Sequence, residues 1–335
     1  MTLSGFLAQI HRPTPLSHKG QNGKVLIVGG SDLFHAASQW SFKACSRLVD
    51  MTFYASVAEN NELLRDAKFY ATDGVVVPRA QLPRYLGEVD SILIGPGLRR
   101  DVISRFSAEQ LDQLKAEDLI PLDWETDTLA VTALLLHGWP RKRWVIDAGS
   151  LQVMDPAWTP PDSILTPHAA ELRLYCEKLP GGLPGWLEEL LAVQQNLAHS
   201  VQKPLGNPDS LPAQFVSEHV FDRLISGRLR DQLHRLSQEC HRSTFLLKGA
   251  VDLIWNDEEL VVLAGGNAGL SKGGTGDTLA GLILGFRATS PAFASAVVAA
   301  WLNKQAAHEL FETRGTMFNT SDLIDQLPQT WKQVA

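Results

Sequence analysis

Near the end of the sequence, residues 265–286 read GGNAGLSKGGTGDTLAGLILGF. Leu279, Leu282, Ile283 and Phe286 recur at i, i+3, i+4 and i+7, which is one face of a helix. That spacing predicts a helix start with Asp277 near its N-cap, entered through Gly273, Gly274, Thr275 and Gly276. Free amides and the helix dipole make such an entry an anion site. An aspartate here is also a common N-cap. Beside an anion hole, however, a carboxylate suits phosphoryl transfer: it takes a hydroxyl proton while amides hold the developing charge. Two familiar phosphate loops are excluded. A P-loop needs lysine after its last glycine, whereas Lys272 precedes Gly273, and the third glycine of a dinucleotide fingerprint would fall on Leu279.

Such a loop needs a scaffold. Apolar runs rich in β-branched residues occur at KVLIVGGS (24–31), MTFYASV (51–57), SILIGPGL (91–98), RWVIDAGS (143–150), SILTPH (163–168) and TFLLKGA (244–250). Unbroken apolarity predicts strands covered on both faces. Helical patterns between most of them predict an α/β fold with a mostly parallel central sheet. VDLIW (251–255) and ELVVLAG (259–265), joined through Asn-Asp, predict a hairpin at a sheet edge. Ligands of such sheets bind beyond the carboxyl ends of the strands. Here those ends place Asp147, His168, Glu171 and Lys248. Each has two readings. Asp147 orients site groups or caps the next helix; His168 caps or contacts substrate. Lys248 meets a nucleotide or is a solvated lysine. Glu171 organises Mg²⁺ through water, as nucleotide phosphates bring that ion, or is an exposed acid at a helix start.

A long interval separates Glu171 from Lys248. Helical patterns at 185–201 and 215–239, with a Pro/Gly/Asn-rich joint at 203–212, predict an inserted helical element over about 178–240. It reads as a lid or subunit contact without a domain-sized core, inside one domain of 1–335. The net charge of −7 argues against a nucleic-acid face. Cys45, Cys176 and Cys240 are dispersed, with no CxxC spacing, which fits a reducing cytoplasm. The N-terminus does not read as a signal peptide, and the longest apolar runs fall short of a membrane span. The expectation is a cytoplasmic protein acting on a small molecule, with a homo-oligomer compatible with the sequence.

GGNAGLSKGGTGDTLAG resembles the signature of the ADP/ATP-dependent NAD(P)H-hydrate dehydratases, a branch of the ribokinase-like superfamily. KVLIVGGS, LIGPGL, VIDAGSL, ILTPHAAEL and LLKGA follow in that family's order, over about residues 20–320. The resemblance implies a ribokinase-like three-layer α/β/α fold. It implies repair of hydrated NADH and NADPH, with ADP or ATP as co-substrate and Mg²⁺ present. Asp277 would activate the hydrate's hydroxyl, and the Gly274, Thr275 and Gly276 amides would hold the transferring phosphate. Lys248, Gly249, Ala250, Val251, Asp252 and Gly276 would lie along the nucleotide. Ala36, Gly97, His168 and Asp277 would meet the hydrate, Ala36 by the loosest match. Other readings of the same loop are a vitamin-precursor alcohol kinase of the superfamily and a non-catalytic nucleotide sensor. The sequence also departs from the family. Gly149 stands for the second acid of DADAL, His35-Ala36 for a Gly-Ala pair, Ser46-Arg47-Leu48-Val49 for RxGAGLV, Ala268 for a proline and Asp252 for a threonine.

Overall fold

The computed structural model describes residues 2–67, 73–100, 104, 106–119, 122–124, 127–202, 210–217 and 224–334. The strands are β1 Lys24–Val28, β2 Met51–Ala55, β3 Val75–Val76, β4 Ser91–Ile94, β5 Arg143–Ile146, β6 Ile164–Leu165, β7 Ser210–Phe215, β8 Thr244–Leu247, β9 Val251–Trp255 and β10 Leu260–Asn267. They form one sheet in the order β3-β2-β1-β4-β5-β6-β8-β9-β10-β7. Pairing is parallel as far as β8 and antiparallel from β8 to β7. The helices that bear on the site are α1 His35–Cys45, α2 Thr128–Gly138, α3 Ala148–Val153, α4 Ala169–Glu177, α5 Trp186–Gln202, α6 Gly227–Glu239, α7 Thr275–Arg287, α8 Ala292–Arg314 and α9 Thr320–Lys332.

The unbroken apolar runs have the expected cause. In β4 and β8 every residue is buried, because alternate side chains enter two different cores. Leu26, Ile92, Ile94, Phe245 and Leu247 pack with α2, α4, α5 and α6 on one face. Val25, Ile27, Leu93, Val145 and Leu246 pack with α1, α7, α8 and α9 on the other. The result is the three-layer α/β/α architecture.

Two expectations change. The stretch over about 178–240 contributes Leu187, Leu190 and Leu197 of α5 and Leu229 and Leu233 of α6 to the main core. These helices pack over β9 and join the main core, with no separate core of their own among the described residues. The same stretch also supplies a strand. β7 pairs antiparallel with β10 and is the outermost strand, so the β9–β10 hairpin lies one strand inside the edge. The second helical pattern was read from residue 215, yet Phe215 ends β7 and the helix begins at Gly227 behind a Ser226 cap. Periodicity missed the strand because β7 is six residues long and contains Pro212, a residue that edge strands tolerate. Residues 203–209 of the predicted joint and 218–223 of the second helix lie outside the described residues.

Candidate active site

The site forms where the carboxyl ends of β5, β6 and β8 face the start of α7. Gly274 is the N-cap of α7, with φ of 97°, a left-handed conformation that favours glycine. A Cβ there would also stand 2.3 Å from the Trp40 ring. Asp277 is the third helical residue, three positions after that cap. It makes no cap, because the helix already starts on glycine. The Gly276 amide has no backbone acceptor among the described residues, so the entry still offers an unpaired donor. Thr320 Oγ1 donates to the Gly273 carbonyl at 2.7 Å, and Lys272 Nζ donates to the Thr316 and Phe318 carbonyls. The glycine loop is thereby fastened to the α8–α9 connection.

A charged cluster faces the helix start. Lys248 Nζ lies 2.7 Å from Asp147 Oδ1 and 3.9 Å from Glu171 Oε2. A Cβ on Gly276 would lie 3.8 Å from the same Nζ, so the ammonium stands beside the α7 entry. Burial, and then Asp147, push the Asp277 carboxyl up to about 7, against the opposing pull of Lys248. Burial alone would lower the Lys248 ammonium, but Asp147 and Glu171 outweigh it and hold it above its ordinary value. At neutral pH the cluster therefore contains a carboxyl poised to gain or lose a proton, which is what general base work requires.

His168 and Glu171 turn out to be partners. His168 Nδ1 accepts from the Ala170 and Glu171 amides at 3.1 and 3.2 Å, capping α4. Glu171 Oε2 accepts from the His168 amide at 2.9 Å, completing a capping box. Gln152 Nε2 donates to Glu171 Oε1 at 3.1 Å. Glu171 is buried, so it is not the exposed acid of the second reading, and each carboxylate oxygen accepts one hydrogen bond. Among the described residues no group of three or more His, Cys, Asp or Glu could by itself hold a metal ion. His168, half exposed at its side chain, both caps α4 and borders the cleft.

That cleft has a volume of about 950 Å³ and is lined by Lys248, Gly249, Ala250, Val251, Asp252, Thr275, Gly276 and His168, with walls from β10 and α8. The predicted nucleotide residues are thus brought together. Among the described residues its lining does not include Ala36, Gly97 or Asp277. Gly97 packs instead against α1, where a Cβ would meet the Phe34 carbonyl at 2.5 Å and Ala37 at 3.2 Å. Gly97 therefore adjoins the start of α1, which carries Ala36, and Trp40 of the same helix lies against Gly274, so this region forms a second face beside the glycine loop. Asp252 borders the cleft, but its carboxylate is buried: Oδ1 accepts from the Gly249 amide at 2.9 Å and Oδ2 lies 3.4 Å from Lys304 Nζ.

Sequence reasoning missed Lys304 and Gln194. Lys304 Nζ donates to the Gly249 and Ala250 carbonyls at 3.0 and 3.2 Å. Gln194 Nε2, from α5, donates to the Leu247 and Val251 carbonyls. Together they clamp the 248–252 turn from two sides. A lysine inside the otherwise apolar run of α8 was the available signal, since a buried charge requires a partner.

Residues 219–329 match the family model described as NAD(P)H-hydrate dehydratase. The chain is 28% identical to a bifunctional NAD(P)H-hydrate repair enzyme of Methanothermobacter thermautotrophicus, over 97% of this chain and 52% of that one; it spans about half that relative's length. It is 27% identical to an ADP-dependent (S)-NAD(P)H-hydrate dehydratase of Cenarchaeum symbiosum, covering 94% of this chain and 91% of the other. Among solved structures, a ribokinase-like superfamily protein of Enterococcus faecalis superposes with a TM-score of 0.69 at 20% identity, covering 99% and 95% of the two chains. The Bacillus subtilis ADP/ATP-dependent NAD(P)H-hydrate dehydratase, co-crystallised with ATP and Mg²⁺, gives 0.64 at 20% identity, covering 99% and 97%. No helix among the described residues is long and apolar enough to cross a membrane. Residues 219–329 thus match the NAD(P)H-hydrate dehydratase family model, on a chain that shares its α/β/α fold with these solved structures.

Proposed function

We propose that the protein repairs (6S)-hydrated NADH and NADPH by nucleotide-dependent dehydration. The observation that carries this reading is the Asp277 carboxyl, raised to about 7, in the first turn of a helix whose entry opens on the cleft. ADP or ATP would lie along 248–252, with its terminal phosphate at the Gly276 amide and Lys248. Asp277 takes the proton of the ring hydroxyl as that oxygen attacks the terminal phosphorus, and the P–O bond to the shortened nucleotide breaks. Loss of the new phosphate from the ring carbon, with a proton from its neighbour, restores the ring double bond. Lys248 and the helix entry meet the charge that builds on the phosphoryl group. A Mg²⁺ would enter on the nucleotide's phosphates. His168, Ala36 and Gly97 would border the hydrate.

The test is recovery of the reduced-nicotinamide absorbance when purified protein meets (6S)-hydrated NADH, Mg²⁺ and either ADP or ATP. Recovery with release of phosphate supports the reading. A stable phosphorylated alcohol without recovery would assign a kinase instead, and failure with both nucleotides would sink the lyase assignment.

A further inference from the structure

Asp147 occupies the N-cap position of α3, where an aspartate ordinarily accepts from the first free amides. It makes no such bond. Its Oδ1 accepts instead from Thr166 Oγ1 at 2.8 Å and from Lys248 Nζ at 2.7 Å. The backbone is bent around this arrangement. Ala148, directly after it, has φ of 46°, in the left-handed region that alanine rarely adopts. Gly95, at the end of β4, lies so close beneath that a Cβ would stand 1.7 Å from the Asp147 carbonyl oxygen. Local strain of this kind collects at functional sites because the surroundings enforce it.

The beneficiary is Lys248. A lysine side chain is long and mobile, and left alone its ammonium seeks water. Here two carboxylates with side chains 2% and 4% exposed hold it beside the α7 entry. We propose that Asp147 is a positioning residue that acts through Lys248, fixing the ammonium at the helix entry before the phosphate arrives. This rests on the phosphoryl-transfer reading of the site. A charge already in place needs no reorganisation during reaction, which is where electrostatic catalysis gains most. The charged groups facing Asp277 are Asp147 from β5, Lys248 from β8 and Glu171 from α4. Neutralising Asp147 removes a negative neighbour and leaves Lys248 unopposed on that side. Both changes favour the ionised form of Asp277.

The experiment compares wild type, Asp147→Asn, Lys248→Met and the double variant. Asp147→Asn should lower kcat about 10- to 100-fold, leave the KM for ADP within about threefold, and move the acid limb of kcat/KM to lower pH. Lys248→Met should move that limb to higher pH. The double variant should be no slower than Lys248→Met alone, since an effect routed through one residue cannot add to its loss. Wild-type kcat and an unmoved limb in Asp147→Asn, or losses that multiply in the double variant, overturn the proposal. Should Asp147→Asn not fold, an unmoved limb in Lys248→Met overturns it equally. If the wild type turns over no hydrate, the functional reading fails by itself. Asp147 is then judged by ADP affinity, whose fall with rising pH must move to lower pH in Asp147→Asn.

Discussion

The two faces of the site are built differently. On the phosphate face, position is set by buried charge: Asp147, Lys248 and Glu171 hold one another, and Asp252 with Lys304 holds the 248–252 turn. On the second face, around the ends of β1 and β4, the backbone itself closes the space. Gly97 lies against the Phe34 carbonyl, and a Cβ on Gly149 would meet the Leu98 carbonyl at 2.4 Å. Its rim is loose, with Phe34 two-fifths exposed beside Arg100 and an Arg99–Asp32 pair at 3.0 Å. Buried charge fixes a reacting group within fractions of an ångström, whereas a partly exposed rim tolerates exchange. The sequence departures at His35, Ala36 and Gly149 fall on the second face. Asp252 and Ala268 line the cleft instead, and Asp252 comes with a buried cation that matches it.

That contrast can be broken most directly at Asp277. Asp277→Asn should lower turnover at least about 10³-fold while ADP still binds, as removal of a general base does. Its stability effect has a definite sign. A folded-state pKa raised to about 7 means stability present at low pH and lost as pH rises through 7. Asparagine has no such loss. The Tm of Asp277→Asn should therefore exceed that of wild type by roughly 2–4 °C at pH 8, and the gap should close as the pH falls from about 7 to about 4. A constant gap across that range would mean that Asp277 is not titrating there.

The Lys304 clamp should show the next largest effect. Lys304→Met leaves Asp252 buried without its cation and strips the Gly249 and Ala250 carbonyls of a donor. Breaking a buried pair in this way costs about 3–5 kcal/mol, to be read by denaturant unfolding, with ADP affinity falling alongside. Asp252→Thr with Lys304→Met should regain part of the stability. If the double variant is no better than the single, the charge match is not what holds the turn.

The smallest change addresses the second face. Gly149→Asp restores the acid that the family usually carries, but the Leu98 carbonyl occupies its space. The expected result is a loss of about 1–3 kcal/mol from overpacking, no gain in turnover and unchanged ADP affinity. Higher activity would show that the 95–98 turn opens to admit the side chain.

Much of this was legible in the residues. The β1, β2, β4, β5 and β8 runs announced themselves by unbroken apolarity, and α7 by its spacing after Asp277. β7 was not legible, because a short strand carrying proline has no periodicity strong enough to compete with the helical patterns on either side. The burial of Glu171 was not legible, because a capping box depends on where its partner's backbone points. His168, three residues before it, was a visible hint of that box. The Gln194 clamp left no sequence signal at all, since a glutamine on a helix is ordinarily solvated.

By itself the sequence determined the elements and the chemical inventory: strands covered on both faces, a glycine-led helix entry, one aspartate just inside it, and a lysine and two acids at strand ends. Those follow from local patterning, which is written residue by residue. Only the tertiary structure decided how the inventory is shared. It gave Asp147 to Lys248 and not to a helix cap, and it set Asp252 against Lys304. The reason is that burial makes every polar group find a partner, and for Asp147 and Asp252 the partner within reach lies more than fifty residues away along the chain.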